Sequence, residues 1–176
     1  MKLSDQIKSV IRDVPDFPKK GIMFKDITPL LLDPKLCTRI VDALAEKFES
    51  LNIDAIAAIE ARGFFFGLMI AQRLKKPFIP IRKEGKLPYT TIKKTYALEY
   101  GSATIEMHQD AITPGQNVLI HDDLLATGGT GVAASELVKE LGGNIAGFSF
   151  IVDLTFLNGD EKLLPFSENI ISLVEY

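Results

Sequence analysis

The chain predicts an α/β fold, a mostly parallel twisted sheet flanked by helices, on three observations. Short runs that are apolar throughout, at 53–59, 78–81 and 145–152 and from 118, read as strands buried on both faces. Helix-patterned segments at 63–74 and 131–141 fall between them, as parallel crossovers require. The run from 118 also ends in two adjacent acids, Asp122 and Asp123, and ligands in such sheets gather at the carboxyl ends of strands.

Each element has its own signal. Leu3, Ile7, Val10, Ile11 and Val14 recur at helical spacing, predicting an N-terminal amphipathic helix with Ser4 as its cap and Pro15 and Pro18 as its stop. Residues 17–30 read as an apolar, proline-bounded loop. Asp33-Pro34 is a cap followed by a first-turn proline, opening a helix to about residue 51. After the strand at 53–59, the helix at 63–74 and the strand at 78–81, residues 89–94 are polar and lack clear periodicity, so they read as part of a mobile flap. Strands at 96–100 and 103–108 are joined around Gly101, and Pro114-Gly115 turns the chain into the strand from 118. The helix at 131–141, a strand at 145–152 and a last strand at 170–174 complete the order. With no repeat and no linker, residues 1–176 are expected to form one domain.

Composition bounds the function. Hydrophobic residues make up 47% and charged ones 24%, ordinary for a soluble globular chain with a real core. A net charge of −3 gives no electrostatic case for nucleic acid or an anionic membrane, so neither is expected as a partner. Cys37 is the single cysteine, which excludes an internal disulfide, suits a reducing cytoplasm and reads as a small buried hydrophobe. The greasy run 64–71 contains a glycine and is far below the roughly 20 residues of a bilayer span, and residues 1–6 lack a signal-peptide core. A cytoplasmic location is expected.

The chemistry concentrates at 118–130. Ala126-Thr127-Gly128-Gly129-Thr130 follows the two acids and opens a helix, whose first N–H groups lack partners and carry the positive end of the dipole. Glycines let the backbone approach an anion and the threonines add hydroxyl donors, so this turn suits a phosphate. Asp122 and Asp123 would repel a phosphate but fit the vicinal hydroxyls of a sugar. There is no P-loop, and the glycine spacing and the acids preceding the loop are wrong for a dinucleotide fold. Glu60-Ala61-Arg62-Gly63 sits at a second strand-to-helix turn, where Arg62 could join a second anion. Arg82, Lys83 and Lys86 gather three cations close to Gly85, an alternative to a merely solvated face when the ligand is strongly anionic. Glu99 lies between aromatics at a strand edge.

The segment 122–130 resembles the phosphoribosyl pyrophosphate (PRPP) motif of the type I phosphoribosyltransferases. Phe17-Pro18, Phe24-Lys25-Asp26-Ile27-Thr28-Pro29, Arg62-Gly63-Phe64, Arg82-Lys83 with Gly85-Lys86-Leu87-Pro88, and Leu98-Glu99-Tyr100-Gly101 extend the likeness to the adenine-specific branch over nearly the whole length. The resemblance implies the type I fold, with an N-terminal helix and base-binding hood in 1–33 and a flexible flap with its flanking strands in 82–100. It implies transfer of 5-phosphoribose from PRPP to adenine, giving AMP and pyrophosphate in purine salvage. Mg²⁺ would enter with PRPP, with no direct protein ligand assigned, and the chain would be a homodimer in which Arg82 reaches toward the neighbouring subunit's pyrophosphate site. On the same basis Asp122 and Asp123 hold ribose hydroxyls or metal-bound water, and 126–130 hold the 5′-phosphate. Arg62, Arg82, Lys83 and Lys86 meet pyrophosphate. Ile22, Met23, Phe24, Lys25 and Leu154 bind adenine, and Glu99 handles a proton at the base. Relatives that use 6-oxopurines place an acid three residues after the second aspartate. Here that position is Ala126, which disfavours 6-oxopurines. His121 and Lys25 depart from the family pattern, which favours a hydrophobic residue and an arginine there. A PRPP sensor is the competing class, and it predicts an added DNA-binding segment, for which the short helix at 3–14 and the net charge of −3 offer no candidate.

Overall fold

The computed structural model describes residues 1–98 and 101–176. Helix α1 (Leu3–Val10) leads into a hairpin of β1 (Arg12–Pro15) and β2 (Met23–Asp26), a 3₁₀ turn at Thr28–Leu32 and helix α2 (Pro34–Phe48). There follow β3 (Ala55–Ile59), α3 (Gly63–Leu74), β4 (Phe78–Lys83), β5 (Thr91–Ala97), β6 (Ser102–His108), β7 (Asn117–His121) and β8 (Leu124–Leu125). The chain continues through α4 (Gly129–Glu140), β9 (Asn144–Ser149), β10 (Val152–Asp153), β11 (Ile170–Ile171) and β12 (Val174–Glu175). A seven-stranded sheet runs β11-β9-β7-β3-β4-β6-β5, parallel from β11 to β4 and antiparallel at β6 and β5.

Alternation across this sheet sorts the core into two layers. Ile56 and Leu119 point to one side, under α1, α2 and α3, with Ile40, Leu44, Phe48, Phe66 and Ile70. Ala55, Ala57, Val118 and Ile120 point to the other, against Ala133, Ala134, Leu137 and Val138 of α4. Being covered on both sides, β3 and β7 read as continuous apolar runs. The Asp33 side chain accepts hydrogen bonds from the Lys35 and Leu36 amides, which fixes the start of α2. Cys37 is buried within that helix.

Four local expectations change. Ser4 lies inside α1, whose cap is Lys2, with no side-chain cap bond. The helix stops at Val10, because residues 12–15 pair with β2, so the expected loop is half hairpin. Residues 91–94 belong to β5, which is paired along its length with β6. Its alternation is masked because Lys94 takes a half-buried position with Ile92 and Tyr96, its ammonium 3.1 Å from Glu136 of α4. The strands expected at 145–152 and 170–174 each split in two. Their second halves, β10 and β12, join β8 in a small parallel sheet just beyond the carboxyl ends of β7, β9 and β11. Glu99 and Tyr100, and with them the end of the strand expected at 96–100, lie outside the described residues.

Candidate active site

Arg62, Arg82, Lys83 and the acid pair lie just past or at the carboxyl ends of the parallel strands β3, β4 and β7. β7 ends at His121, and the Asp122 amide donates to Ser149 O at 3.1 Å, holding the turn against β9. Asp122 Oδ1 accepts from the Asp123 amide at 2.8 Å. Asp123 is 4% exposed, and its Oδ2 stands 3.0 Å from Arg62 Nε, at ion-pair distance but not aligned as a hydrogen bond, which leaves that buried oxygen without a donor. Burial pushes the Asp122 carboxyl well above its usual range, with the Asp123 charge adding to the effect. Burial also raises Asp123, against the opposing pull of Arg62. The pair is therefore poised for a cation or for hydroxyl donors.

Beyond the acids, Leu124-Leu125 make β8 and the turn 126–128 delivers the chain to α4. Gly128 has φ +77° and marks the N-terminal cap of α4. A Cβ there would lie 2.3 Å from Gly159 O, and a Cβ on Gly159 would lie 2.1 Å from Ala126 O. The two backbones are thus in contact, and Gly159, which sequence reasoning missed, is needed to shape the loop. An Asn-Gly turn at 158–159 was its only signal. The Thr130 hydroxyl donates to the Tyr96 hydroxyl at 3.0 Å, joining the turn to β5. A small hollow is lined by 124–131, Asp122 and Phe150.

On one side of the acids lies a polar cleft of about 180 Å³, walled by Glu60, Arg62, Arg82, Lys83, Asp122 and Asp123. Arg82 grips Glu60 through two hydrogen bonds, 2.8 and 3.1 Å, and Glu60 also accepts from the Lys83 amide at 3.0 Å. The Arg82 guanidinium holds the Glu60 carboxyl below the usual carboxylate range. Arg62 Nη1 donates to Lys25 O at 3.3 Å, and its guanidinium carbon sits 4.6 Å from the centre of the Phe24 ring. Arg62 therefore links the β2 strand to Asp123. Lys83 and Lys86 are exposed.

On the other side lies a larger and mainly apolar cavity of about 600 Å³, with Ile22, Met23, Leu98, Leu154, Phe156 and Leu157 in its walls. Ala126 and Thr127 line both this cavity and the hollow of the turn, so the two spaces share a wall. Of the five residues expected at a base, Ile22, Met23 and Leu154 line the cavity. Phe24 instead packs edge-on against Phe17 at 5.0 Å, and the Lys25 ammonium binds Asp13 at 2.6 Å and lies 3.8 Å from the Tyr176 ring centre. Phe156 and Leu157 were missed because nothing local marks a short 3₁₀ turn as a pocket wall, and Leu98, just past the end of β5, because its place in the wall depends on segments remote in sequence. Glu99 lies outside the described residues.

Comparison with known proteins agrees with this arrangement. Residues 29–155 match the family profile described as phosphoribosyl transferase domain. An adenine phosphoribosyltransferase of Cytophaga hutchinsonii is 55% identical over 174 residues, covering 99% of this chain and 96% of that protein. One from Ureaplasma parvum is 54% identical over 172 residues, covering 98% of each. The crystal structure of the Thermoanaerobacter pseudethanolicus enzyme superposes with a TM-score of 0.95 at 50% identity, covering 99% of this chain and 100% of that one. The Saccharomyces cerevisiae enzyme, solved with an imino-altritol bisphosphate and adenine, gives 0.90 at 40% identity, covering 97% and 98%. With its acid pair, glycine turn and adjoining cavity on this sheet, the chain belongs to the adenine phosphoribosyltransferase family.

Proposed function

We propose that this chain transfers 5-phosphoribose from PRPP to adenine, releasing AMP and pyrophosphate, as a purine-salvage enzyme of the cytoplasm. One observation carries the reading: Ala126 and Thr127 form the shared wall between the phosphate-sized turn and the apolar cavity. A sugar phosphate seated on the turn would therefore present its C1′ to a flat ring in the cavity. Amides 127–130 at the start of α4 would hold the 5′-phosphate, and Asp122 and Asp123 the ribose hydroxyls. Arg62, Arg82, Lys83 and Lys86 would take the pyrophosphate end. Arg82 would then have to exchange Glu60 for the anion, in the same subunit or the neighbouring one. Ile22, Met23 and Leu154 would sandwich the base, with Phe24 and Lys25 acting from the β2 backbone behind them. Glu99 would handle the proton at the ring.

Because the reaction needs no covalent intermediate, the chain's work is to orient the two substrates, exclude water and stabilise the departing anion. Among the described residues there is no cluster of three or more metal-ligating side chains. The orphaned Asp123 oxygen beside Asp122 fits a Mg²⁺ carried in by PRPP and held through water. When bound, the ion neutralises pyrophosphate. The single-domain division, with a hood in 1–33 and a closing flap in 82–100, forms part of the proposal. So does a homodimer, supported by the exposed face of Phe65, Leu68 and Met69 on α3. No helix among the described residues is long and apolar enough to cross a membrane.

A steady-state assay with PRPP and Mg²⁺, offering adenine, hypoxanthine, guanine and orotate in parallel, tests the reading. Turnover confined to adenine is expected. Use of hypoxanthine or guanine would overturn the role of Ala126, and PRPP binding without any turnover would favour a sensor.

A further inference from the structure

Glu106 is a charged residue in the middle of β6 that is only 2% exposed. A carboxylate so placed must be matched by donors, and here most of them are main-chain amides from one distant loop. Oε1 accepts from the Lys86 amide at 2.9 Å and the Leu87 amide at 2.8 Å, while Oε2 accepts from the Thr91 hydroxyl at 3.2 Å. Burial pushes this carboxyl up, but the Leu87, Gly85 and Lys86 amides and the Thr91 hydroxyl outweigh it and hold it below the usual range. The same loop is held from its other side, where Arg82 Nη1 donates to Lys86 O at 2.9 Å. Gly85 has φ +78°, so the tight turn here follows a left-handed step that the carboxylate then closes.

The neighbouring charges are distributed to one effect. Glu60 is committed to Arg82, Glu84 to Lys93 at 2.9 Å, and Glu106 to backbone amides. Among the described residues, Lys83 and Lys86 have no ion-pair partner. Both are exposed; Lys83 lines the polar cleft, and Lys86 lies close enough to Glu60 in its wall to help hold that carboxyl down. Nearby carboxylates therefore hold the loop's shape through Arg82, Lys93 and main-chain amides, and none of them forms an ion pair with the Lys83 or Lys86 ammonium.

We propose that Glu106 is a positioning residue for pyrophosphate, setting the 85–87 turn so that Lys83 and Lys86 present their charges to the departing anion. The inference rests on the proposed adenine phosphoribosyltransferase reaction and deepens it. Because the Lys86 and Leu87 amides use a single oxygen, glutamine can keep them while its NH2 donates to the Thr91 hydroxyl in place of accepting from it, whereas leucine loses the turn's anchor.

The test compares Glu106→Leu and Glu106→Gln for the KM of PRPP, the KM of adenine and inhibition by inorganic pyrophosphate. Glu106→Leu is expected to raise the PRPP KM and the pyrophosphate Ki about tenfold or more, with the adenine KM within about twofold. Glu106→Gln is expected to return the PRPP KM to within about threefold of wild type. A double-mutant cycle with Lys86→Ala, which keeps the amide bonded to Glu106 and removes only the ammonium, should be strongly non-additive, since both changes take the Lys86 charge away from the anion. A folded Glu106→Leu with an unchanged PRPP KM, or with adenine and PRPP KM rising together, would overturn the proposal. If Glu106→Leu does not fold, Thr91→Val decides in its place, with a two- to threefold rise in PRPP KM expected and an unchanged value overturning. A wild-type chain that turns over adenine while these variants fail the test would sink only this inference. A wild-type chain with no turnover would sink the functional reading, and this inference with it.

Discussion

His121 gives the protein a built-in acid sensitivity whose size follows from its surroundings. The ring is fully buried at the end of β7, with Nδ1 3.0 Å from Ser149 Oγ and Nε2 lacking any partner. Burial holds its pKa down at about 3, against an ordinary value of 6.5. Between those two values the unfolded chain binds a proton that the folded chain refuses, so stability falls as pH falls through that window. Each unit below 6.5 costs about 1.4 kcal/mol, and by pH 4.5 the loss relative to pH 7 amounts to about 2–3 kcal/mol. Asp122 and Asp123 act with the opposite sign. Their raised values mean that the folded state takes up protons first, so acidification relieves them. The double variant His121→Leu/Ser149→Ala isolates the histidine by removing both polar partners at once, which is close to neutral at pH 7. Urea denaturation of wild type and variant at pH 7 and pH 4.5 should show the wild type losing about 2–3 kcal/mol more than the variant on acidification. Parallel losses in the two proteins would refute a buried neutral ring.

Three further outcomes are expected at the site. Gly159→Ala would drive a methyl into Ala126 O and Gly128 N, at 2.1 and 3.0 Å, and should raise the PRPP KM at least about tenfold; an unaltered KM would show that the turn tolerates displacement. Asp123→Asn should weaken PRPP use while far-UV circular dichroism stays the same, because the side chain keeps its shape and loses only the charge beside Arg62. A variant with the wild-type PRPP KM would remove Asp123 from the ribose site. Glu99→Leu should lower kcat by a larger factor than it raises either KM if the carboxylate acts in the transition state, and an unchanged kcat would end that assignment.

What the amino-acid order determined alone was whatever depends on near neighbours. The apolar runs of β3 and β7, the Asp33-Pro34 start of α2 and the acid–glycine–threonine turn into α4 each carry their cause within a few residues. They located the carboxyl edge of the sheet and the phosphate-shaped turn. The tertiary structure decided whatever depends on chain brought in from afar. It set Gly159 against the turn, assembled the apolar cavity from 18–23, Leu98, Ala126, Thr127 and 154–157, and buried Glu106 under a loop twenty residues away. It turned Lys25 toward Asp13 and Tyr176, and it hid the alternation of β5 by giving Lys94 a partner on α4. The reason is physical. Strand and helix periodicity and capping are local energies that a short window contains, whereas a pocket wall, a buried carboxylate's donors and the space allowed to a Cβ are fixed only when remote segments meet.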